Sequence, residues 1–370
     1  MEVFEALGKK SHEQVVFSND PTTGLRAIIA IHDTTLGPAL GGCRMWKYDK
    51  ESDALTDVLR LSQGMTYKAA VAGLDLGGGK AVIIGNSKTM KNEFLFRSFG
   101  RFVDGLAGRY ITAEDVGTSE IDMEWVRRET KYVTGISRAL GGNGDPSPVT
   151  ALGTYVGIKA CLQRVYGSDS VEGKKIAVQG VGHVGQHLLK LLSDEGARLY
   201  ISDIDENKLK KATKEIKAKI VNNNDIYKLD VDLFAPCAMG GIINDDTIPM
   251  FKCKIIAGAA NNQLEKESKH GKALLEKGIL YAPDYVINAG GLINVYNEWQ
   301  GNSREKALSQ AEGIYHILTE VLDAAEKEGV ATPVASNKYA EERIKRVRKH
   351  KKMYVGQKNL GETKQRTGRK

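Results

Sequence analysis

Residues 174–203 read KKIAVQGVGHVGQHLLKLLSDEGARLYISD, and few folds accommodate that order. A short β-branched run leads into three glycines at 180, 182 and 185, then a stretch with apolar residues at helical spacing, then a second apolar run that ends at Asp203. In a strand–turn–helix of this kind the first glycine permits a tight turn and the second lets the backbone approach a diphosphate. The third lets the helix pack closely on the strand. The anion would rest on the helix N-terminus, where backbone N–H groups lack partners and the helix dipole favours negative charge. Gly180, Val181, Gly182, His183, Val184 and Gly185 therefore form the candidate cofactor loop. The spacing alone is weak, because 40 of 370 residues are glycine; the flanking strand and helix give it weight. Asp203 stands about 20 residues past the loop, where a carboxylate accepts hydrogen bonds from ribose hydroxyls and repels a 2′-phosphate, which favours NAD over NADP. The position also suits a helix cap or a solvated side chain, and Asp205 could assist at the ribose or cap the next helix. His183 and His187 share one helix face, but HVGQH lacks the glutamate of HExxH and no third ligand is apparent, so no metal is expected.

Further runs of the same type, DLFAP (232–236), CKIIAGA (253–259) and GILYAPD (278–284), alternate mostly with helical stretches. Such continuous runs read as strands buried on both faces. Their alternation with helices predicts right-handed crossovers and a Rossmann-type, doubly wound parallel sheet. Earlier in the chain, GLRAIIAIH (24–32), KAVIIG (80–85) and RYITA (109–113) read as strands, with helices over 52–70 and 94–102, which gives a mixed α/β domain. The loop GGNGDPSPVT (141–150) is the candidate linker or hinge. The chain is too long for one ordinary core. Two α/β domains with a deep cleft between them are expected, 1–140 and 141–332. A C-terminal helix at about 333–355, clearest over 336–352, packs back on the first, and 353–370 form a basic, flexible tail.

The net charge of +7 is not spread evenly. From Arg343 to Lys370 there are 12 lysines and arginines against one glutamate, so the rest of the chain is mildly acidic. A solvated helix end with a frayed terminus accounts for this, the alternative being a tail that touches nucleic acid; no nucleic-acid partner is expected. With 41% hydrophobic and 27% charged residues the chain has the balance of a soluble globular protein. No apolar run approaches the ~20 residues of a membrane span, and MEVFEALGKK does not read as a signal peptide, so no membrane association and a cytoplasmic location are expected. Cys43, Cys161, Cys237 and Cys253 form no CxxC pair and read as reduced packing residues.

The stretch MTYKAAVAGLDLGGGKAVIIG (65–85) holds Lys68 at the end of a helical pattern and Lys80 directly after three glycines, at the mouth of a strand. The glycines suggest a backbone that turns tightly or comes close to a ligand. Only a neutral amine acts as a base, and a second cation close by favours that form. Two surface lysines beside a turn fit the spacing equally well.

GPALGGCRM (37–45), MTYKAAVAGLDLGGGKAVI (65–83), TAEDVGT (112–118), NGDPSPVTALG (143–153), APCAMGGIIND (235–245), AGAANNQL (257–264) and APDYVINAGGLINV (282–295) together resemble the glutamate/leucine/phenylalanine/valine dehydrogenase family, most closely its leucine-type members. The resemblance runs in order over roughly residues 3–350. It implies a first domain that binds substrate and builds a homo-oligomer, an octamer in such enzymes, and a second that binds NAD. It also implies reversible oxidative deamination of an L-amino acid to a 2-oxo acid, ammonia and NADH. By the same resemblance Lys80 is the catalytic base, Asp115 a catalytic carboxylate that relays protons, and Lys68 the partner of the substrate α-carboxylate. Thr150, Cys237, Ala238, Asn261 and Asn288 match positions at the cofactor, and Gly41 and Asn262 positions at the substrate. Asp115 would alternatively cap the helical stretch SEIDMEWVRRE. Leu40, Ala113, Leu292 and Val295 match the side-chain pocket. Glutamate-specific members carry a lysine where this chain has Leu40, and a γ-carboxylate facing Leu40 would lose water without gaining a partner, at a cost of about 1–3 kcal/mol. An aliphatic substrate is expected, leucine with isoleucine and valine, or else valine or phenylalanine as the preferred one. Leu292 stands where leucine-type members most often have valine; the extra methylene is worth about 1 kcal/mol.

Overall fold

The computed structural model describes residues 3–350; the basic tail at 353–370 and the last residues of the expected terminal helix lie outside them. The chain divides into two units, one running to Gly144 and resuming at Arg343, the other Asp145–Glu342.

In the first unit β1 (Gln14–Asp20), β2 (Leu25–Asp33), β3 (Ala39–Trp46), β4 (Gly77–Ile84) and β5 (Tyr110–Glu114) form a mixed sheet in the order β1-β2-β4-β3-β5. β2 is antiparallel to β1 and β4, whereas β3 runs parallel to β4 and β5. Ile28, Ala30 and Val82 meet Ala54, Leu55, Val58 and Leu59 of helix Glu51–Val71. The alternate residues Ile29, Ile31 and Ile83 point to the opposite face and are fully buried. Helix Glu93–Asp104, begun by Asn92, whose side chain accepts the Leu95 N–H at 3.0 Å, packs against β1, β2 and β5. β1 and β3 do not stand out in the sequence. β3 carries Gly41 and Gly42, which depress the strand signal, and six of its eight residues are buried for a reason that only its neighbours supply.

The second unit has β6 (Lys175–Gln179), β7 (Arg198–Ser202), β8 (Ala218–Ile220), β9 (Leu233–Pro236), β10 (Ile255–Ile256) and β11 (Leu280–Tyr281) in an all-parallel sheet ordered β11-β10-β9-β6-β7-β8. The chain starts at the centre, winds outward through β7 and β8, then returns to wind the other way through β9, β10 and β11, which is the doubly wound dinucleotide-binding topology. The strand runs expected in this half all occur, shorter than the apolar segments that contain them. β8 escapes a pattern reading because it is a half-exposed edge with a lysine at its centre, the usual disguise of an edge strand.

The terminal helix is Thr332–Arg348. The Thr332 hydroxyl donates to the Tyr281 carbonyl, Tyr285 donates to Asn337, and Asn337 donates to Glu267. Arg343 instead donates to the carbonyls of Ala70 and Leu74 and to Asp75, and Arg348 pairs with Asp33. These bonds agree with a division at Glu342 rather than 332, and the earlier division falls at Gly144 rather than 140. Among the described residues no helix is long and apolar enough to cross a membrane.

Candidate active site

Residues two apart on a strand share a face. The pairings Leu40 with Gly78 and Ile111, Gly42 with Ala113, Arg44 with Val82 and Ala30 with Lys80 therefore put Leu40, Arg44, Lys80 and Ala113 on one face. It is the face covered by helix Glu51–Val71, since Ala30 and Val82 pack against it. Lys68 lies in the last turn of that helix, half-buried. Lys80 is 5% exposed.

The glycines before Lys80 form no tight turn. Gly77, Gly78 and Gly79 are strand residues with ordinary backbone angles. A Cβ on Gly77 would overlap the Asp33 carbonyl, on Gly78 the backbone of Thr66, and on Gly79 the Tyr110 ring at 2.7 Å. Their absent side chains let the neighbouring strands and helix Glu51–Val71 close on β4. Lys80 consequently lies inside the strand and not at its mouth.

Asp115 follows β5 directly. Its Oδ2 is 3.0 Å from Lys80 Nζ and accepts a 3.0 Å hydrogen bond from Arg44 Nε. Arg44 Nη1 donates to Asp57 Oδ2 at 2.9 Å, and the Tyr48 hydroxyl donates to the same oxygen at 2.7 Å. A side chain at Gly42 would meet Asp115 Cβ at 2.8 Å, so that glycine admits the carboxylate. Gly41 abuts β4, where a Cβ would overlap the Gly79 carbonyl oxygen. The helix cap proposed as an alternative for Asp115 belongs to Ser119, which forms a capping box with Asp122 ahead of helix Glu120–Arg127. Arg44, Asp57 and Tyr48 drew no attention in the sequence; the alternation Leu40, Gly42, Arg44 points to the first, but only once β3 is known to be a strand.

Burial alone would push the Asp115 carboxyl up, yet the Lys80 ammonium and the Arg44 guanidinium hold it below the usual carboxylate value of 3.8. A carboxyl depressed in the folded chain contributes stability that is complete above its unfolded value and drains away as pH falls through the lower folded one. At neutral pH Asp115→Asn is thus expected to melt below the parent, having left two cations with one partner fewer. The gap in Tm should close only below about pH 4. Thermal melts across descending pH check this, and a gap that closes near neutrality would contradict the pairing.

In the second unit the residues singled out in the sequence gather at the carboxyl ends of the parallel strands: the glycine loop after β6, Asp203 after β7, Cys237 and Ala238 after β9, Asn261 and Asn262 after β10, and Asn288 after β11. Ligands of open α/β sheets bind along that edge. Gly180 has φ +101, and a Cβ on it would meet Ala238 at 2.7 Å; a Cβ on Gly185 would overlap the Gly180 carbonyl. Gly182 caps helix His183–Asp194 without a side-chain partner and faces open space. The loop thus closes on the protein at its first and third glycines and is open at its second, at the N-terminus of helix His183–Asp194, an arrangement that fits a diphosphate. Asp203 is no cap: its Oδ2 accepts the Val181 N–H at 2.7 Å and its Oδ1 the Asp205 N–H at 2.9 Å, while Asp205 caps helix Glu206–Glu215. Burial pushes the Cys237 thiol up to about 11, so it packs as a neutral group. Asn288, 3% exposed, donates to Asn261 Oδ1 at 2.7 Å and to the Ala259 carbonyl at 3.1 Å. Asn262 holds a left-handed φ of 51. The Thr150 hydroxyl donates to the Pro146 carbonyl at 3.1 Å, and its oxygen is 3.0 Å from where Gly291 would carry a Cβ. Gly291 is the second residue of helix Gly290–Trp299, which bears buried Leu292 and half-buried Val295.

A parallel sheet of this order, with its glycine loop open at a helix N-terminus, is the arrangement of a dinucleotide-binding protein. Residues 12–132 match the Glu/Leu/Phe/Val dehydrogenase dimerisation domain, and 141–206 and 201–353 match the glutamate/leucine/phenylalanine/valine dehydrogenase domain. The chain belongs to that family and is an amino acid dehydrogenase. It is 55% identical to leucine dehydrogenase of Geobacillus stearothermophilus over 96% of both chains. It is 48% identical to phenylalanine dehydrogenase of Bacillus thermotolerans over 96% of this chain and 94% of that one. The crystal structure of L-tryptophan dehydrogenase from Nostoc punctiforme is similar with a TM-score of 0.85 and 48% identity, covering 94% of this chain and 99% of the other.

Proposed function

We propose that the protein catalyses the NAD-dependent, reversible oxidative deamination of branched-chain L-amino acids, L-leucine with isoleucine and valine, to 2-oxo acids, ammonia and NADH. The observation that carries this reading is the Lys80–Asp115 contact at 3.0 Å, set on the same sheet face as Leu40 and Ala113. When bound, the nicotinamide supplies the acceptor for the hydride that leaves the substrate α-carbon. The protein's part is positioning and proton traffic. Lys68 holds the α-carboxylate as a point charge and fixes which face of the substrate is presented. Lys80, as the neutral amine, takes the proton of the water that attacks the resulting imine carbon, and Asp115 exchanges protons with the amino group as the carbinolamine collapses to the 2-oxo acid and ammonia. Gly41, Asn262, Leu292 and Val295 complete the substrate contacts in this reading. Thr150, the loop 180–185, Asp203, Cys237, Ala238, Asn261 and Asn288 hold the cofactor. Asp203, whose two oxygens already accept loop and strand-end N–H groups, disfavours the added charge of a 2′-phosphate, which supports NAD. The match to a dimerisation domain supports a homo-oligomer, an octamer by the family resemblance, and the protein is assigned to the cytoplasm.

A second reading, a valine or phenylalanine dehydrogenase, draws support from Leu292 and from the 48% identity to a phenylalanine enzyme. A panel of amino acids with NAD at alkaline pH, followed by NADH absorbance, tests both. Leucine should exceed glutamate in kcat/KM by at least roughly tenfold to a hundredfold, the equivalent of an unpaired carboxylate facing Leu40. A preference for phenylalanine selects the second reading, and no NADH from any amino acid overturns both.

A further inference from the structure

Asp115 bonds Lys80 and Arg44 through one and the same oxygen, Oδ2. Arg44 does not reach it by chance of a long side chain. Its other end is held by Asp57 Oδ2, which accepts the Tyr48 hydroxyl as well, and Arg60 is 3.1 Å from Asp57 Oδ1. Burial, and then the bond to Asp57, raise the Tyr48 phenol above its ordinary range, so it remains a donor. Burial opposes the Asp57 charge, but Tyr48, Arg44 and Arg60 together keep its carboxyl low. The guanidinium is thereby fixed at both ends between two carboxylates, with its side chain 21% exposed. A planar, permanently charged fork suits that task in a way a mobile ammonium does not.

We infer that Arg44 is a positioning residue for the deamination chemistry: it holds Asp115 by Oδ2, leaving Oδ1 out of both contacts, and competes with Lys80 for the carboxylate so that Lys80 is free to give up its proton. The inference rests on the roles proposed above for Lys80 and Asp115. A lone lysine–aspartate pair favours the ammonium, which cannot act as a base. With Arg44 on the same oxygen, the carboxylate keeps a cationic partner whichever state Lys80 is in. The charged and titratable groups facing this point are Lys80 from β4, Arg44 and Cys43 from β3, Tyr110 from β5, Tyr48 from the segment that follows β3, and Asp57 and Arg60 from helix Glu51–Val71. Of these, Arg44 alone touches both Asp115 and the Asp57 cluster.

The test is the pH profile of kcat/KM for the full-length enzyme with NAD and its best amino acid. Arg44→Gln should lower kcat/KM near neutrality by about tenfold or more and move the acid limb of the profile to higher pH, so that part of the rate returns in alkali. NAD affinity should not change. Arg44→Lys should restore part of the rate and most of the limb position. Tyr48→Phe, which removes only the hydroxyl on Asp57, should move the limb in the same direction by less, and carries the test if Arg44→Gln does not fold. A rate loss that is equal at every pH, or an unmoved limb in Tyr48→Phe where Arg44→Gln does not fold, overturns the inference. If that happens in an enzyme that Lys80→Ala inactivates, the functional reading stands and only the role of Arg44 falls. Near-normal turnover in Lys80→Ala removes both.

Discussion

Lys80→Ala is expected to lower kcat by about 10²- to 10⁴-fold while leaving NAD affinity unchanged, as measured by steady-state kinetics alongside fluorescence titration of the cofactor. The magnitude follows from what the alanine cannot replace. Lys80 sits in a strand, 5% exposed, with its ammonium on Asp115. Water entering the vacated volume is a far weaker base than a neutral amine. Arg44 would still hold Asp115, so the fold and the carboxylate orientation should persist, and small primary amines added to the assay should recover part of the rate. Lys68→Ala provides the contrast. A residue that anchors the substrate carboxylate in ground and transition state alike should raise KM for the amino acid more than it lowers kcat. If Lys80→Ala keeps near-normal turnover, the base lies elsewhere.

The second large effect is on stability. Gly41→Ala is expected to cost upward of about 3 kcal/mol in denaturant unfolding, or to prevent folding altogether, because the added methyl would overlap the Gly79 carbonyl oxygen of the adjoining strand. Neither strand can yield cheaply. β3 is hydrogen-bonded on both sides, to β4 and β5, and the Gly41 carbonyl accepts the buried Tyr110 hydroxyl at 2.6 Å. Gly64→Ala is the matched control. That glycine lies within helix Glu51–Val71, exposed, with open space where its Cβ would stand, so alanine should stabilise by about 0.5–1 kcal/mol. Equal effects from the two substitutions would mean that close strand packing at Gly41 is not what the position requires.

Much of the second unit could be read directly from the chain, and the reason is local. A β-branched run, a glycine turn and an amphipathic helix specify one another within about thirty residues, and the strands that follow are continuous because they are buried on both faces. Gly180, Gly182 and Gly185 have distinguishable tasks in the sequence for the same reason. Between Asp203 and Asp205 the sequence was silent: both follow β7, and only the hydrogen bonds show that one ties the loop while the other caps a helix. The first unit was harder. The glycine run at 77–79 looks like a turn when read along the chain, because what excludes its side chains comes from Asp33, Thr66 and Tyr110, remote in sequence.

The sequence by itself determined the fold class, the doubly wound sheet and the family, since periodicity, glycine spacing and long motifs are properties of contiguous residues. Only the tertiary structure decided how Lys80 is held. Its partners Arg44 and Asp115 lie on β3 and just past the end of β5, and they converge because β3 runs parallel between β4 and β5 in one particular register. A shift of that register by one residue would turn Arg44 to the opposite face. No local pattern encodes a register between strands joined by long connections; it is fixed by the packing of the whole sheet against helix Glu51–Val71, and with it the charge cluster around Asp115.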